Sequence, residues 1–267
     1  HVFGRDRQEH GAQRLKDAVR NATGALPGPA VLDIPIDVAF TPVEPARVPP
    51  FGRPTPPPRP VPAPGSIDAA VAVLDAAERP ALVLGDGTLS VDVRPALERL
   101  VAATGLPVFS TSLTRGGLSG GHPAMGGGLA SLAGLSLGGV DPPDVVVLVG
   151  AAFGLLLGGR NFGHLVGGAK VVQLHLDPAE IGRLGPVDVG VVGDLAAGLD
   201  ALTGGLARRD RSAWTTQAVS MKRFADSLYE GAGMEADGIH PYRAARDVAE
   251  AIPPGSVLVR DGGEAAL

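Results

Sequence analysis

From residue 66 onward, short apolar runs alternate with stretches whose apolar positions recur at helical spacing. Ala81-Leu82-Val83-Leu84, Pro107-Val108-Phe109-Ser110, 145–149 and 171–176 read as buried strands, and 189–192 as a weaker one. Between them fall a helix over 67–77 with Ser66 as its N-cap, a helix over 93–104 with apolar positions at 97, 100 and 101, and a helix following Asp194. Strands that are apolar throughout, separated by helices, predict right-handed βαβ crossovers and a parallel sheet covered on both faces. The predicted fold class is α/β: a Rossmann-like parallel sheet layered by helices, with partial α/β domains at both ends.

The flanks follow other patterns. Good helix formers over 12–21 close at Gly24, with Pro27 blocking continuation, and Pro29-Ala30-Val31-Leu32-Asp33-Ile34-Pro35 reads as a buried strand. Eleven prolines between Pro42 and Pro64 remove backbone donors and fix φ, which predicts an extended, semi-rigid linker. After Gly205 the text is polar and then helical over 213–228. His240-Pro241 opens a helix to about residue 252, and Pro253-Pro254-Gly255 turns the chain into a terminal strand, Ser256-Val257-Leu258-Val259. The predicted organisation is an end piece of one domain over 1–40, a proline-rich linker over 41–64, a central domain over 65–205, a linker with a helix over 206–239, and the start of a third domain over 240–267.

Composition narrows the function classes. A net charge of −5 gives no reason to expect nucleic acid, because a phosphate-binding surface needs clustered Lys and Arg. No stretch reaches the roughly 18 apolar residues needed to span a bilayer, and the start, His1-Val2-Phe3, has neither an initiator Met nor a signal-peptide pattern. His1 is expected to be an internal residue of a longer parent. With no Cys there is no disulfide framework and no thiolate site, and a cytoplasmic location is the default expectation.

Several constellations invite chemistry, each with a structural alternative. Gly85-Asp86-Gly87 follows a strand, where a nucleotide-binding turn would lie, but the third fingerprint position is Ser90, and a plain tight turn needing positive φ accounts for the glycines. His175-Leu176-Asp177-Pro178-Ala179-Glu180 offers an imidazole and two carboxylates. It also fits a helix start with Asp177 as N-cap, Pro178 at the first position and Glu180 at the third. Gly117-Leu118-Ser119-Gly120-Gly121 and Gly134-Leu135-Ser136-Leu137-Gly138 match the hydrolase nucleophile pattern, yet neither serine sits between a strand and a helix. Asp33 and Asp37 read as turn and cap residues, and His10, His122, His164 and His240 are scattered singly.

Taken in order, longer stretches resemble one family. Gly28-Pro29-Ala30-Val31-Leu32-Asp33-Ile34-Pro35-Ile36-Asp37-Val38 is similar to the strand that closes the pyrimidine-binding domain of thiamine-diphosphate-dependent enzymes. The runs 78–87, 104–108, 150–154 and 177–183 resemble their central domain, and His240-Pro241 through Asp261-Gly262-Gly263 resembles the entry to their diphosphate-binding domain. Gly158-Gly159-Arg160 and Glu180-Ile181-Gly182-Arg183 bring acetolactate synthase-like proteins and benzaldehyde lyase closest.

The resemblance implies a carbon–carbon lyase or carboligase acting beside a carbonyl, on a 2-ketoacid, aldehyde or acyloin, with thiamine diphosphate and Mg²⁺ as cofactors and a homodimer or homotetramer as the assembly. It also implies that the activating glutamate lies upstream of the strand matched by 28–38. The family's Gly-Asp-Gly followed some two dozen residues later by Asn has no counterpart here, because Gly85-Asp86-Gly87 lies in the wrong domain and the only asparagines are Asn21 and Asn161. No catalytic or metal-binding residue is therefore assigned, and the chain on its own is expected to be an inactive fragment of the parent enzyme. The cofactor-contacting candidates are Gly262, Gly263 and Glu264, whose backbone amides would face the diphosphate. Ala152 stands where flavin-binding relatives carry Arg, which counts against FAD and for a structural central domain. The alternatives are a stand-alone FAD- or ADP-binding module and a non-catalytic assembly module.

Overall fold

The computed structural model describes residues 11–24, 26–48, 50, 52, 55, 58–154, 157, 168–231, 238–257 and 259. Six strands, β1 (Pro80–Leu84), β2 (Val108–Ser110), β3 (Met125–Gly128), β4 (Val145–Val149), β5 (Lys170–His175) and β6 (Val189–Val192), form one sheet in the order β3-β2-β1-β4-β5-β6. All neighbours pair in parallel, with Leu82 level with Val147 on one side and Val108 on the other. This is the strand order of dinucleotide-binding sheets, and it reverses between β1 and β4.

The helices are α1 (Gly11–Ala22), α2 (Ile36–Ala39), α3 (Pro64–Ala76), α4 (Arg94–Thr104), α5 (Leu129–Gly134), α6 (Leu195–Gly205), α7 (Ser212–Ala218), α8 (Ser220–Gly231) and α9 (Pro241–Ala251). Every residue of β1 and β4 is buried, as strands covered on both faces must be. Leu82, Leu84, Val147, Val172 and Leu174 pack against Leu74 of α3, Leu97 and Leu100 of α4, and Leu199 and Leu202 of α6. Ala81, Val83, Phe109, Val146 and Leu148 meet Leu132 and Leu135 at α5, Phe153, Leu157, and Trp214 and Ala218 of α7. Each fully buried aliphatic side chain contributes about 1.5–3 kcal/mol of transfer free energy, so these two layers supply the main driving force.

Local chemistry sets the element ends. Gly105 takes the left-handed conformation (φ 67°) after α4 and donates its N–H to the Val101 carbonyl at 2.7 Å, closing the helix. The Asp194 carboxylate accepts from Ala197 N–H at 3.0 Å and caps α6. Asp144 accepts from the backbone of Glu78 and Arg79 at 2.8 and 2.9 Å, which ties the starts of β4 and β1 together.

The structure corrects the sequence reading at five places. β3, Met125-Gly126-Gly127-Gly128, has no apolar alternation. Its glycine at 126 admits the Phe109 ring, which would lie 2.5 Å from an added Cβ. Helix α3 begins at Pro64 with Ala63 as its N-cap, so Ser66 lies inside the first turn and its hydroxyl donates back to the Ala63 carbonyl at 2.7 Å. The 29–35 run is not a strand: Val31 is 83% exposed, and among the described residues no neighbouring strand supplies the ladder its backbone needs. Residues 256, 257 and 259 likewise form no strand, with Val257 exposed. The 213–228 helix divides at Val219 into α7, which lies on the sheet, and α8, which packs on α5 and β3. Within the proline-rich stretch, Pro45–Arg47 makes one 3-10 turn, and its end docks: Arg59 donates to the Ser90 carbonyl at 2.6 Å, and Asp194 N–H donates to that of Pro60 at 2.7 Å.

Candidate functional site at the strand-order switch

A crevice of about 410 Å³ opens where the carboxyl ends of β1, β4 and β5 diverge. Asp86, Gly87 and Ser90 come from the turn after β1, Gly150 and Ala152 from the turn after β4, and His175 to Asp177, Glu180 and Arg183 from the turn after β5. Leu195 of α6 and Leu26-Pro27 of the first segment complete the lining. In sheets of this order the switch point is where ligands bind, and the volume is that of a small-molecule pocket. The structure thus joins two constellations that are far apart in sequence, Gly85-Asp86-Gly87 and His175 to Arg183.

The glycines serve close approach between the two turns rather than positive φ. Gly85 has φ −116°, and neither it nor Gly87 is left-handed. A Cβ on Gly85 would lie 2.3 Å from Ala151 Cα, and one on Gly87 2.8 Å from the Gly150 oxygen. The amides are engaged as well: Gly85 N–H donates to Val149, Gly87 N–H to Gly150, and Gly150 N–H to the Leu174 carbonyl, at 2.8–2.9 Å. A diphosphate cradle needs such N–H groups pointing into the crevice, and these are spent inside the protein.

The β5 turn is also self-satisfied. Asp177 N–H lies 3.0 Å from His175 Nδ1, and the Asp177 carbonyl lies 3.2 Å from the same nitrogen, so the ring is held by the backbone of its own turn. Asp177 Oδ1 accepts from Ala179 N–H at 2.8 Å ahead of a single 3-10 turn, Pro178–Glu180. Asp177 therefore caps as the sequence predicts. Glu180 does not close a capping box, because its Oε2 accepts from Arg183 Nε at 2.7 Å. Among the described residues no group of three or more His, Asp or Glu is placed to hold a metal ion.

Sequence reasoning passed over Gln173, which is fully buried in β5. Its Nε2 donates to the Ala151 and Glu180 carbonyls, both at 3.0 Å, and its Oε1 accepts from Gly182 N–H at 2.9 Å. One side chain thereby fixes both turns that flank the crevice. The signal was available as an amide between Val171-Val172 and Leu174 in β5, since a polar side chain at a buried strand position must find partners.

Ser119 and Ser136 lie in turns, neither on a strand-to-helix elbow. Gly262, Gly263 and Glu264, together with 158–160, His10, Asn161 and His164, lie outside the described residues. Thiamine diphosphate and Mg²⁺ find no fitting site among the described residues, because the one Gly-Asp-Gly is packed against Gly150 and Ala151.

The fold and the crevice mark an α/β domain of dinucleotide-binding order, and comparison with known proteins gives its family. Residues 67–202 match the family described as "Thiamine pyrophosphate enzyme, central domain". The chain belongs to that family. It is 33% identical over 185 residues to the acetolactate synthase large subunit of Parasynechococcus marenigrum (strain WH8102), covering 67% of this chain and 29% of that protein. It is 30% identical over 207 residues to the oxalyl-CoA decarboxylase of Escherichia coli (strain K12), covering 77% of this chain and 35% of that protein. The solved structure of benzoylformate decarboxylase from Polynucleobacter necessarius superposes with a TM-score of 0.63 at 19% identity, over 79% of this chain and 39% of that one, and supports the fold. The chain thus spans about a third of the length of these relatives.

Proposed function

We propose that this chain is the central portion of a thiamine-diphosphate-dependent carbon–carbon lyase or carboligase, and that its sheet domain serves a structural role. The observation that carries the structural role is the crevice itself, where Gly85 and Gly87 are packed against the backbone of Gly150 and Ala151 and the Gly85, Gly87 and Gly150 amides are bound within the protein. Its charged groups work the same way: Asp177 and Glu180 are engaged with Ala179 N–H and Arg183, and carboxylates at the rim disfavour a diphosphate. In the parent enzyme, thiamine diphosphate with Mg²⁺ supplies the electron sink for bond cleavage or formation next to a carbonyl. A 2-ketoacid, aldehyde or acyloin is the substrate, and the parent works as a cytoplasmic homodimer or homotetramer. No described helix is long and apolar enough to cross a membrane. Gly262, Gly263 and Glu264 are proposed to meet the cofactor diphosphate through backbone amides. In a chain of the relatives' full length, Gly263→Val then weakens thiamine diphosphate binding at least tenfold, which is about 1.4 kcal/mol.

A second reading, a nucleotide held in the crevice, is favoured by the crevice's position where the strand order reverses. Calorimetric titration of the 267-residue chain with FAD, ADP and NAD separates the two. The structural reading expects no binding tighter than about 1 mM, and a Kd near 1 µM, about 4 kcal/mol stronger, would replace it with the nucleotide-binding one. Incubated with thiamine diphosphate, Mg²⁺ and 2-ketoacids or acyloins, the same chain is expected to show no turnover. Measurable cofactor-dependent product would refute inactivity.

A further inference from the structure

We infer that residues 207–221 form a strap that folds as one unit with the sheet and holds α8 in fixed register with it. The segment begins beyond residue 202, where the family match ends. Without it one face of the sheet is incompletely covered. Helices α3, α4 and α6 pack on the other face, whereas Trp214 and Ala218 of α7 join α5 over Ala81, Val83, Phe109 and Val146. Trp214 is 6% exposed, and its Nε1 donates to the Pro80 carbonyl at 2.8 Å, at the amino end of β1.

The strap fastens to the end of α3, where the Leu74 carbonyl accepts from the Ala77 N–H at 3.2 Å and the carbonyls of the last turn have run out of i+4 donors. Arg209 Nη1 donates to the Asp75 carbonyl at 2.6 Å, Arg211 Nη2 to that of Leu74 at 3.4 Å, and Ala207 N–H to the Asp75 carboxylate at 3.1 Å. Guanidinium groups are well matched to the negative end of a helix dipole. The Thr215 hydroxyl donates to the Gly105 carbonyl just past α4. Arg211 is only 7% exposed, and one of its nitrogens, Nη1, has no hydrogen-bond partner. Burial pulls its guanidinium below the ordinary pKa range, Arg209 adds to this, and Asp75 and Asp144 oppose it. Burying that guanidinium is a cost to the closed segment, which the packing of Trp214 and Ala218 and the bonds from Arg209 and Ala207 to Asp75 offset.

Past α7, Met221 enters a notch between Gly134 and Gly138, where a Cβ on Gly138 would lie 2.8 Å from its sulfur. Helix α8 is thus seated on α5 and on the edge strand β3. The direction of α8, up to Gly231, is then set by the sheet rather than by a tether.

Amide hydrogen exchange on the full 267-residue chain tests this. Thr215 and Val219 donate to the Arg211 and Thr215 carbonyls. Their exchange is expected within about tenfold of that of Val147 and Leu148 in β4, as amides of one cooperative unit behave. Arg209→Gln should accelerate the strap and β4 amides by a common factor. Strap amides exchanging more than about 100-fold faster than β4 in the wild-type chain would overturn the inference, as would a variant that accelerates the strap alone. Trp214, the only tryptophan, gives a second readout without substitution. Its fluorescence transition in urea should coincide with the loss of far-UV ellipticity, and an earlier transition counts against the strap.

Discussion

Replacing Gln173 with Leu tests how the crevice is built. The amide makes three hydrogen bonds, at 3.0, 3.0 and 2.9 Å, to Ala151, Glu180 and Gly182, and its side chain is fully buried. Leucine is similar in size, so cavity formation is a minor effect, but two carbonyls and an N–H lose their partner. At about 1 kcal/mol net for each bond the loss is about 3 kcal/mol, with stranded buried groups pushing it upward. At about 2–4 °C per kcal/mol for a chain of this size, the melting temperature should fall by about 6–12 °C. Urea unfolding followed by far-UV ellipticity should show a lower midpoint at unchanged slope, which assigns the effect to stability. The Gly182 amide, which now donates to Gln173 Oε1, should lose its exchange protection. A loss below about 1 kcal/mol, or a Gly182 amide that stays protected, would refute the view that Gln173 holds the two turns.

Gly85→Ala places a Cβ 2.3 Å from Ala151 Cα, against backbone that cannot rotate away, and should cost about 3 kcal/mol in a urea melt; a neutral substitution would contradict the packing assigned to the turn. Arg99→Ala removes a bidentate ion pair from α4 to Asp200 of α6, with the shortest contact at 2.8 Å, but both side chains are about half exposed, so the cost should stay below about 1 kcal/mol and shrink further in high salt. Hydrogen bonds from the Ser212 backbone and hydroxyl hold the Asp210 carboxyl below its ordinary pKa. Its stabilising effect is thus present above the unfolded carboxylate value of about 3.9 and lost as pH falls through the lower folded value. Asp210→Ala should therefore be less stable than wild type near neutral pH and match it in strong acid, whereas a gap independent of pH would argue against this titration.

β1 and β4 were legible because a strand buried on both faces is apolar at every position, and β2, β5 and β6 from shorter runs that are mainly apolar, β5 being interrupted by Gln173 and β6 by Gly190. Asp177 as a cap was legible for a similar reason, since the donor it satisfies lies two residues on in the chain. Strand β3 was not, because its glycines answer to the ring of Phe109, a neighbour that sequence does not place beside them. The 29–35 run and residues 256, 257 and 259 have the composition of strands, but among the described residues no strand pairs with them, and a strand exists only as part of a ladder.

The candidate site divides along the same line. Sequence showed two separate constellations and offered positive φ as the reason for Gly85 and Gly87, while the structure placed both on one crevice and gave close approach to Gly150 and Ala151 as the reason. Periodicity, capping and proline density are properties of neighbouring residues, so the chain by itself determined the α/β class, most strands and some helix ends, while the start of α3 and the division at Val219 were not read from it. Strand order, the partners of Gln173, and the seating of Trp214 and Arg211 depend on contacts between residues far apart in the chain, and those are fixed only when the sheet assembles and the helices close over its two faces.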